Sequence, residues 1–353
     1  MADPVRSGAA TRRLGPVIRL APAKLNLTLA VVGRRPDGYH DLHSVMVPLA
    51  LVDRLSVARA AGAIDTLRVA GLDAGPTADN LVLRAIAAVR AAVGRSADSF
   101  PLAARLEKRI PVAAGLAGGS SDAAAAIDAA LEAWGLVAPG GPPDPELAEL
   151  RETIAGRVGS DVPFFLAGGP AVVEGRGERV QPLAAIRGVQ PGVLLVTPAV
   201  PATTLAVFAA FDRGGPAAPA DPRSTHLTSE HLATELRAGL DGSGLVARAG
   251  VLASANDLAA AAGIEVPGLA VLRRALGRRL GRPVGVSGSG PTLWVLYPSA
   301  GTAAAAADEV RAGIVDGSIA APGDAPPALI ATSIAGQARA ETDGTRHAME
   351  DGS

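Results

Sequence analysis

The 353-residue sequence is predicted to fold as an α/β (α+β) protein of two domains, and three observations predict it. Short apolar runs with a period of two recur among longer runs with helical spacing, the mark of mixed strands and helices. The length suits two cores of ordinary size. A glycine-rich stretch from Ile110 to Ala126 leads into an alanine-rich helix, and the rest of the first half is arranged around it.

Composition narrows the classes. Apolar residues make up 48% and charged residues 19%, and no apolar run is long and unbroken enough to span a bilayer, so a soluble globular protein without a membrane partner is expected. With a net charge of −1 and 3% aromatics there is no electrostatic footprint for nucleic acid and few platforms for stacking bases. The lack of cysteine excludes disulfides and thiolate metal sites and fits a cytoplasmic location. Of 33 basic residues only Lys24 and Lys108 are lysines. A compact ammonium kept against an arginine background marks both for attention.

In chain order, Met1 to Leu14 lacks the apolar core of a signal peptide and reads as a disordered tail. Leu25, Leu27, Leu29 and Val31 alternate with Lys24, Asn26, Thr28 and Ala30, predicting a half-buried strand with Lys24 and Asn26 on the face away from the core. Pro36-Asp37-Gly38 is a turn. Strands are expected at 54–58 and 65–70, then a helix over 80–93 capped by Asp79, with Val82, Ala85, Ile86 and Val89 inward. Leu102, Ala104 and Leu106 mark a strand ending at Lys108.

A surface loop from Pro139 to Pro145 precedes a helix over 145–158. Short strands follow at 171–174, 179–182 and 193–196. Gly214 to Pro222 reads as a loop or insertion. Helices over 229–239, 256–262, 268–280 and 302–314 and strands over 284–287, 292–296 and 329–333 form a second α/β or α+β unit. From Gly336 the polar, aperiodic composition predicts a second disordered tail.

Gly115, Gly118 and Gly119 can take positive φ, and Ser120, Ser121 or Asp122 can cap the helix that follows. Free amides and the helix dipole suit such a loop to phosphate, although a glycine turn is also a common structural device. No lysine precedes the serines, so it is no Walker A loop. The spacing also breaks the dinucleotide G-x-G-x-x-G fingerprint, which disfavours a Rossmann oxidoreductase. Asp161, between Gly159-Ser160 and the apolar Val162-Pro163-Phe164-Phe165, either caps a helix or does chemistry. Ser287-Gly288-Ser289-Gly290-Pro291-Thr292 lies between two strands, as a tight hairpin or a close approach to ligand.

Taken in order, Pro22-Ala23-Lys24-Leu25-Asn26-Leu27, Arg35-Pro36-Asp37-Gly38-Tyr39-His40, Gly115 to Ala124, Gly159 to Phe165 and Gly288-Ser289-Gly290-Pro291 resemble the motifs of the GHMP small-molecule kinases. The similarity runs from Val17 to Ser333 and is greatest to the branch acting on a cytidine-diphosphate methylerythritol. It implies a ribosomal-S5-like N-terminal domain over 15–185 and a ferredoxin-like C-terminal domain over 186–335. It also implies phosphorylation of the acceptor's 2-hydroxyl by ATP with Mg²⁺, in the non-mevalonate route to isoprenoid precursors.

By the same resemblance Asp161 accepts the hydroxyl proton, Lys24 stabilises the reacting oxygen, and Asn26 orients Asp161 or the substrate. Pro111, Ala114, Gly115, Leu116, Ala117, Gly118, Gly119, Ser120 and Ser121 hold the triphosphate, with Ser121 near Mg²⁺ and Asn80 and Lys108 near the nucleotide. Tyr39 and His40 hold the cytosine, Phe208 stacks on its other face, and Thr204, Gly288, Ser289 and Gly290 complete the acceptor seat. Position 117, often glycine in the family, is alanine here. A homoserine- or mevalonate-type kinase and an inactive nucleotide-binding regulator are the alternatives.

Overall fold

The structure, a computed structural model, describes residues 15–96, 98–214 and 223–336. The expected tails over 1–14 and beyond Gly336, and the expected insertion beyond Gly214, lie outside the described residues.

The first half contains β1 (Val17–Asn26), β2 (Ala30–Arg34), β3 (His40–Arg59), β4 (Thr66–Gly71), α1 (Leu81–Ala92), β5 (Leu102–Lys108), α2 (Gly118–Ala133), α3 (Pro145–Val158), α4 (Val162–Ala167), β6 (Ala171–Gly175) and β7 (Arg179–Pro182). Its strands make one seven-stranded sheet. β3, 20 residues long, is the spine, pairing antiparallel with β1 and β2 along one edge and with β5 and β6 along the other. The sequence predicts only the end of this strand. Val45, Met46, Val47 and Leu49 are all buried, so both faces are covered and no period of two survives.

The second half contains β8 (Gly192–Thr197), α5 (Thr204–Asp212), α6 (Ser224–Arg237), α7 (Gly242–Ala247), α8 (Ala249–Ser254), α9 (Ala259–Glu265), α10 (Leu269–Leu280), β9 (Gly285–Val286), β10 (Leu293–Tyr297), α11 (Ala300–Val315) and β11 (Ala328–Ser333). An antiparallel four-stranded sheet runs in the order β11-β8-β10-β9. Of its helices, α5, α7 and α8 have no counterpart in the sequence reading, nor has α4 in the first half. Three of these four have six residues and show too few turns for a period, and the longer α5 is apolar on most of its surface.

Three larger cores hold these layers. Val82, Ala85, Ile86 and Val89 of α1 face inward as their spacing predicts, meeting Leu106, Ile127 and Trp134. Leu194, Val196, Leu293 and Val295 pack on the helices through Val207, Ala262, Leu272 and Val310. The opposite face of the same sheet, Val193, Leu195, Trp294 and Leu296, joins Leu25, Val45, Val47, Leu49 and Ile334 in a core built from both halves. Truncating one of these buried leucines to alanine costs about 2–5 kcal/mol.

Lys24 and Asn26 do lie on the face opposite Leu25, but that face is not open. Strand pairing lapses between β1 and β2, and Gly115 and Gly288 close over the two side chains, leaving Lys24 4% and Asn26 2% exposed. The cap of α1 is also reassigned. Asn80, not Asp79, accepts from the Val82 amide at 3.0 Å.

Candidate active site

The glycine loop is fixed from both halves. Gly115 has φ +75°, and a Cβ there would lie 2.4 Å from the Ser287 carbonyl oxygen, so no larger residue fits without displacing backbone. Ser287 Oγ donates to the Gly115 carbonyl at 3.1 Å. Ala117, at φ 54° and ψ 32°, is the N-cap of α2, and its side chain supplies no capping bond. Ser120 and Ser121 therefore sit inside the first turn, and Asp122 just beyond it, instead of capping the helix. The first amides of α2 stay free, and Gly118, Gly119 and Ser120 line a cleft of about 1050 Å³. Free amides at the positive end of a helix make an anion seat.

Lys24 stands beside this seat at the end of β1. Its Nζ donates to Asn26 Oδ1 at 2.5 Å and to the Gly115 carbonyl at 2.8 Å. Asn26 Nδ2 donates to Ser44 Oγ at 2.9 Å, and Ser44 Oγ donates to the Thr28 carbonyl at 2.5 Å, which fixes which amide atom faces the lysine. Gly288, at φ +58°, comes so close that a Cβ would lie 3.0 Å from Asn26 Oδ1 and 3.1 Å from Lys24 Nζ. Burial pushes the Lys24 ammonium below its ordinary range, while the charge of Asp161 pulls it back up.

Asp161 occupies the N-cap position of α4, yet its side chain makes no capping bond. It lines the cleft with Lys24, and the buried Phe164 anchors its helix against Met46, Ala171 and Val173. The capping explanation of this carboxylate therefore fails. An ammonium and an uncommitted carboxylate facing one cleft can activate a hydroxyl between them.

Beneath the loop, Lys108 Nζ lies 2.5 Å from Asp53 Oδ2 and 2.7 Å from Asp122 Oδ2, with all three residues buried. Asp53 also accepts the Arg109 and Ile110 amides at 2.5 and 2.9 Å. Among the described residues Asp122 Oδ1 has no partner. Burial is the main cause that pushes Asp122 up to about 7, with Lys108 opposing it and Asp53 adding to it. Gly118 makes room for this cluster, because a Cβ there would meet Lys108 Nζ at 2.8 Å.

At the other end of the cleft Tyr39, 57% exposed, has the Arg176 guanidinium over its ring at 5.1 Å. His40 stacks on Phe208 with centroids 4.8 Å apart and 19° between planes, and Asp212 Oδ1 lies 2.7 Å from His40 Nε2. Thr204 Oγ1 meets Ser289 Oγ at 3.3 Å, linking α5 to the loop after β9.

Most of the predicted site residues come together. Lys24, Asn26, Tyr39, His40, Asn80, Lys108, Pro111, Ala114, Gly115, Ala117, Gly118, Gly119, Ser120, Asp161, Thr204, Phe208, Gly288 and Ser289 line the one cleft. Leu116, Ser121 and Gly290 are not on its wall. Leu116 is core, Ser121 Oγ is buried without a partner among the described residues, and the Gly290 backbone lies behind Gly115. Asn80 both caps α1 and lines the cleft. Arg34, Arg176 and Asp212 line it too and are missed by the sequence reading, since nothing local marks them, and Asp122, read there only as a cap, lines it as well.

The GHMP kinases N terminal domain family matches residues 80–169, and the GHMP kinases C terminal family matches 243–316. A 4-diphosphocytidyl-2-C-methyl-D-erythritol kinase of Pelotomaculum thermopropionicum is 45% identical over 199 residues, which cover 56% of this chain and 64% of that protein. This chain thus matches slightly under two thirds of that relative's length. The enzyme of the same name from an Anaeromyxobacter species is 39% identical over 305 residues, 84% of this chain and 87% of that one. A crystal structure of 4-(cytidine 5'-diphospho)-2C-methyl-D-erythritol kinase superposes with a TM-score of 0.62 at 32% identity, covering 91% of this chain and all of that one.

Proposed function

The chain belongs to the family of 4-diphosphocytidyl-2-C-methyl-D-erythritol kinases, and on that premise we propose that it transfers the γ-phosphoryl group of ATP to the 2-hydroxyl of 4-(cytidine 5'-diphospho)-2-C-methyl-D-erythritol. That reaction belongs to the non-mevalonate route to isoprenoid precursors, and the same reading places it in the cytoplasm, where ATP is at hand. Among the described residues no helix is long and apolar enough to cross a membrane. The observation that carries the proposal is the shared cleft, which the glycine loop, Lys24, Asp161 and the aromatic rings of Tyr39, His40 and Phe208 all line.

Phosphoryl transfer asks a protein for alignment and charge more than for covalent chemistry. The amides of Gly118, Gly119 and Ser120 hold the triphosphate. Asp161 accepts the proton of the attacking hydroxyl. With two of its three N–H donors committed to Asn26 and Gly115, Lys24 offers the third to that oxygen and stabilises the charge it develops. Tyr39, His40 and Phe208 seat the base of the acceptor, and Thr204, Gly288 and Ser289 border the path between.

Mg²⁺ fits this donor set as a phosphate-bound ion. Among the described residues no group of three acidic or histidine side chains could cage a metal, and Mg²⁺ in such sites keeps few protein ligands. Ser120 lines the cleft whereas the Ser121 hydroxyl is buried, so Ser120 is the better placed to help hold it. When bound, the ion would supply neutralisation of charge on the phosphate oxygens.

The test offers the protein ATP and Mg²⁺ with the cytidine acceptor, mevalonate or homoserine in parallel, followed by phosphorus NMR. A new phosphomonoester with the cytidine acceptor alone is expected. Turnover of mevalonate or homoserine instead would overturn the substrate. Nucleotide binding without any turnover would favour an inactive regulator, a reading that leaves the uncommitted carboxylate of Asp161 without a purpose.

A further inference from the structure

We infer that Asp212 selects the base of the acceptor by fixing which ring nitrogen of His40 carries the proton, so that the cleft takes the amino edge of cytosine and rejects uracil. The inference rests on the cytidine reading above and concerns a residue to which that reading gives no part.

One short helix holds His40 on three sides. Phe208 covers a ring face at 4.8 Å, Phe211 meets the ring edge-on at 6.1 Å, and Asp212 Oδ1 lies 2.7 Å from Nε2. All three belong to α5, whereas His40 opens β3 in the other half. The histidine side chain is only 6% exposed, so the ring cannot turn over without leaving its stack. Asp212 is held in turn by Arg34, whose Nη2 is 3.6 Å from its second oxygen.

A carboxylate only accepts hydrogen bonds, so the proton between these groups sits on Nε2. In the neutral ring Nδ1 is then a bare lone pair. Nδ1 makes no hydrogen bond among the described residues, and His40 lines the cleft beside Tyr39. An acceptor on the wall of the cleft that meets a base discriminates by chemistry, because cytosine presents an amino donor where uracil presents a carbonyl acceptor. A site built around such a bond rejects the base lacking its partner, since two acceptors are left face to face. Asp212 touches no substrate in this account and acts as a positioning residue.

The experiment compares the unsubstituted protein with Asp212→Ala and Asp212→Asn, using the cytidine acceptor and its uridine counterpart. The ¹⁵N NMR signals of His40 report the tautomer directly. The unsubstituted protein should show the Nε2–H form and prefer cytidine. Asp212→Ala should mix the tautomers and reduce the preference roughly 10- to 100-fold, the worth of one mismatched bond in a desolvated site. The loss should appear in KM for the acceptor, with kcat and KM for ATP within about threefold, a split that general loosening would not give.

An Nδ1–H tautomer or an imidazolium at neutral pH in the unsubstituted protein would overturn the inference, and this reading needs no variant to fold. So would an unchanged base preference in Asp212→Ala. Failure of the unsubstituted protein to turn over either nucleotide acceptor defeats the cytidine reading itself and removes the inference with it, which is distinguishable from turnover with an unchanged preference.

Discussion

The Lys24 ammonium lies 2.8 Å from the carbonyl oxygen of Gly115, so the residue proposed to face the reacting hydroxyl also holds the loop proposed to seat the triphosphate. Donor and acceptor seats are thereby set against each other by one side chain. A shift in either would be felt by the other, and alignment of this kind supplies much of the rate of a phosphoryl transfer.

Lys24 gives a pH prediction whose sign follows from its burial. Its folded pKa is depressed below 10.5, so the ammonium is lost at a lower pH than in an ordinary lysine. kcat should fall on an alkaline limb centred below 10.5. Between the depressed value and 10.5 the unfolded chain binds more protons than the folded one, so this group's contribution to stability rises with pH across that window. Lys24→Arg should be at least about tenfold slower and lose the limb, because a guanidinium stays charged there. A limb that persists in Lys24→Arg assigns it to another group.

Asp161→Asn should lower kcat by roughly 10²- to 10⁴-fold, the usual contribution of a general base. ADP affinity, measured calorimetrically, should stay within about threefold because no nucleotide seat is touched. Near-normal turnover in this variant would remove Asp161 from the chemistry.

Ser44→Ala tests the support behind the lysine. It leaves the buried Asn26 Nδ2 without its 2.9 Å acceptor, at a cost of about 1–3 kcal/mol in unfolding free energy. With the amide free to turn, kcat should drop about tenfold while KM for ATP holds. An unchanged kcat alongside lost stability would show that Ser44 serves the fold alone.

Ala117 is held in the left-handed region, which costs an L-residue about 1–2 kcal/mol. Ala117→Gly should therefore raise stability by about 1 kcal/mol in a denaturant titration, part of the relief being offset by a more flexible unfolded chain. ATP affinity should change little. A destabilised Ala117→Gly would mean that the alanine methyl makes contacts worth more than the strain.

What the sequence made legible was local. Gly115, Gly118 and Gly119 ahead of an alanine run announce a loop and a helix, and Val82 to Val89 announce a buried stripe, because glycine conformation and helical period are properties of neighbours. The burial of Lys24 was not legible, since a period of two says which side packs but not what arrives to cover the other. The partners of Lys108 were hidden for a related reason. Its rarity flagged it, but Asp53 and Asp122 reach it from β3 and α2 by folding. Asp212 is the extreme case. It meets His40 across 172 positions of sequence, at the end of a helix too evenly apolar to show its inward face.

The core that Leu25, Val45 and Leu49 share with Trp294, Leu296 and Ile334 has a consequence for how such a gene can be rearranged. Although sequence motifs divide neatly near residue 185, the division does not follow a dry seam. A fragment ending there would carry its innermost leucines and valines into water, and a fragment beginning there would do the same with a tryptophan. Exchanging one half for that of a relative would transplant half an interior, with mismatched shapes meeting at Leu49 and Ile334. The proposed base seat and phosphate seat therefore belong to one shared interior and would have to be inherited together.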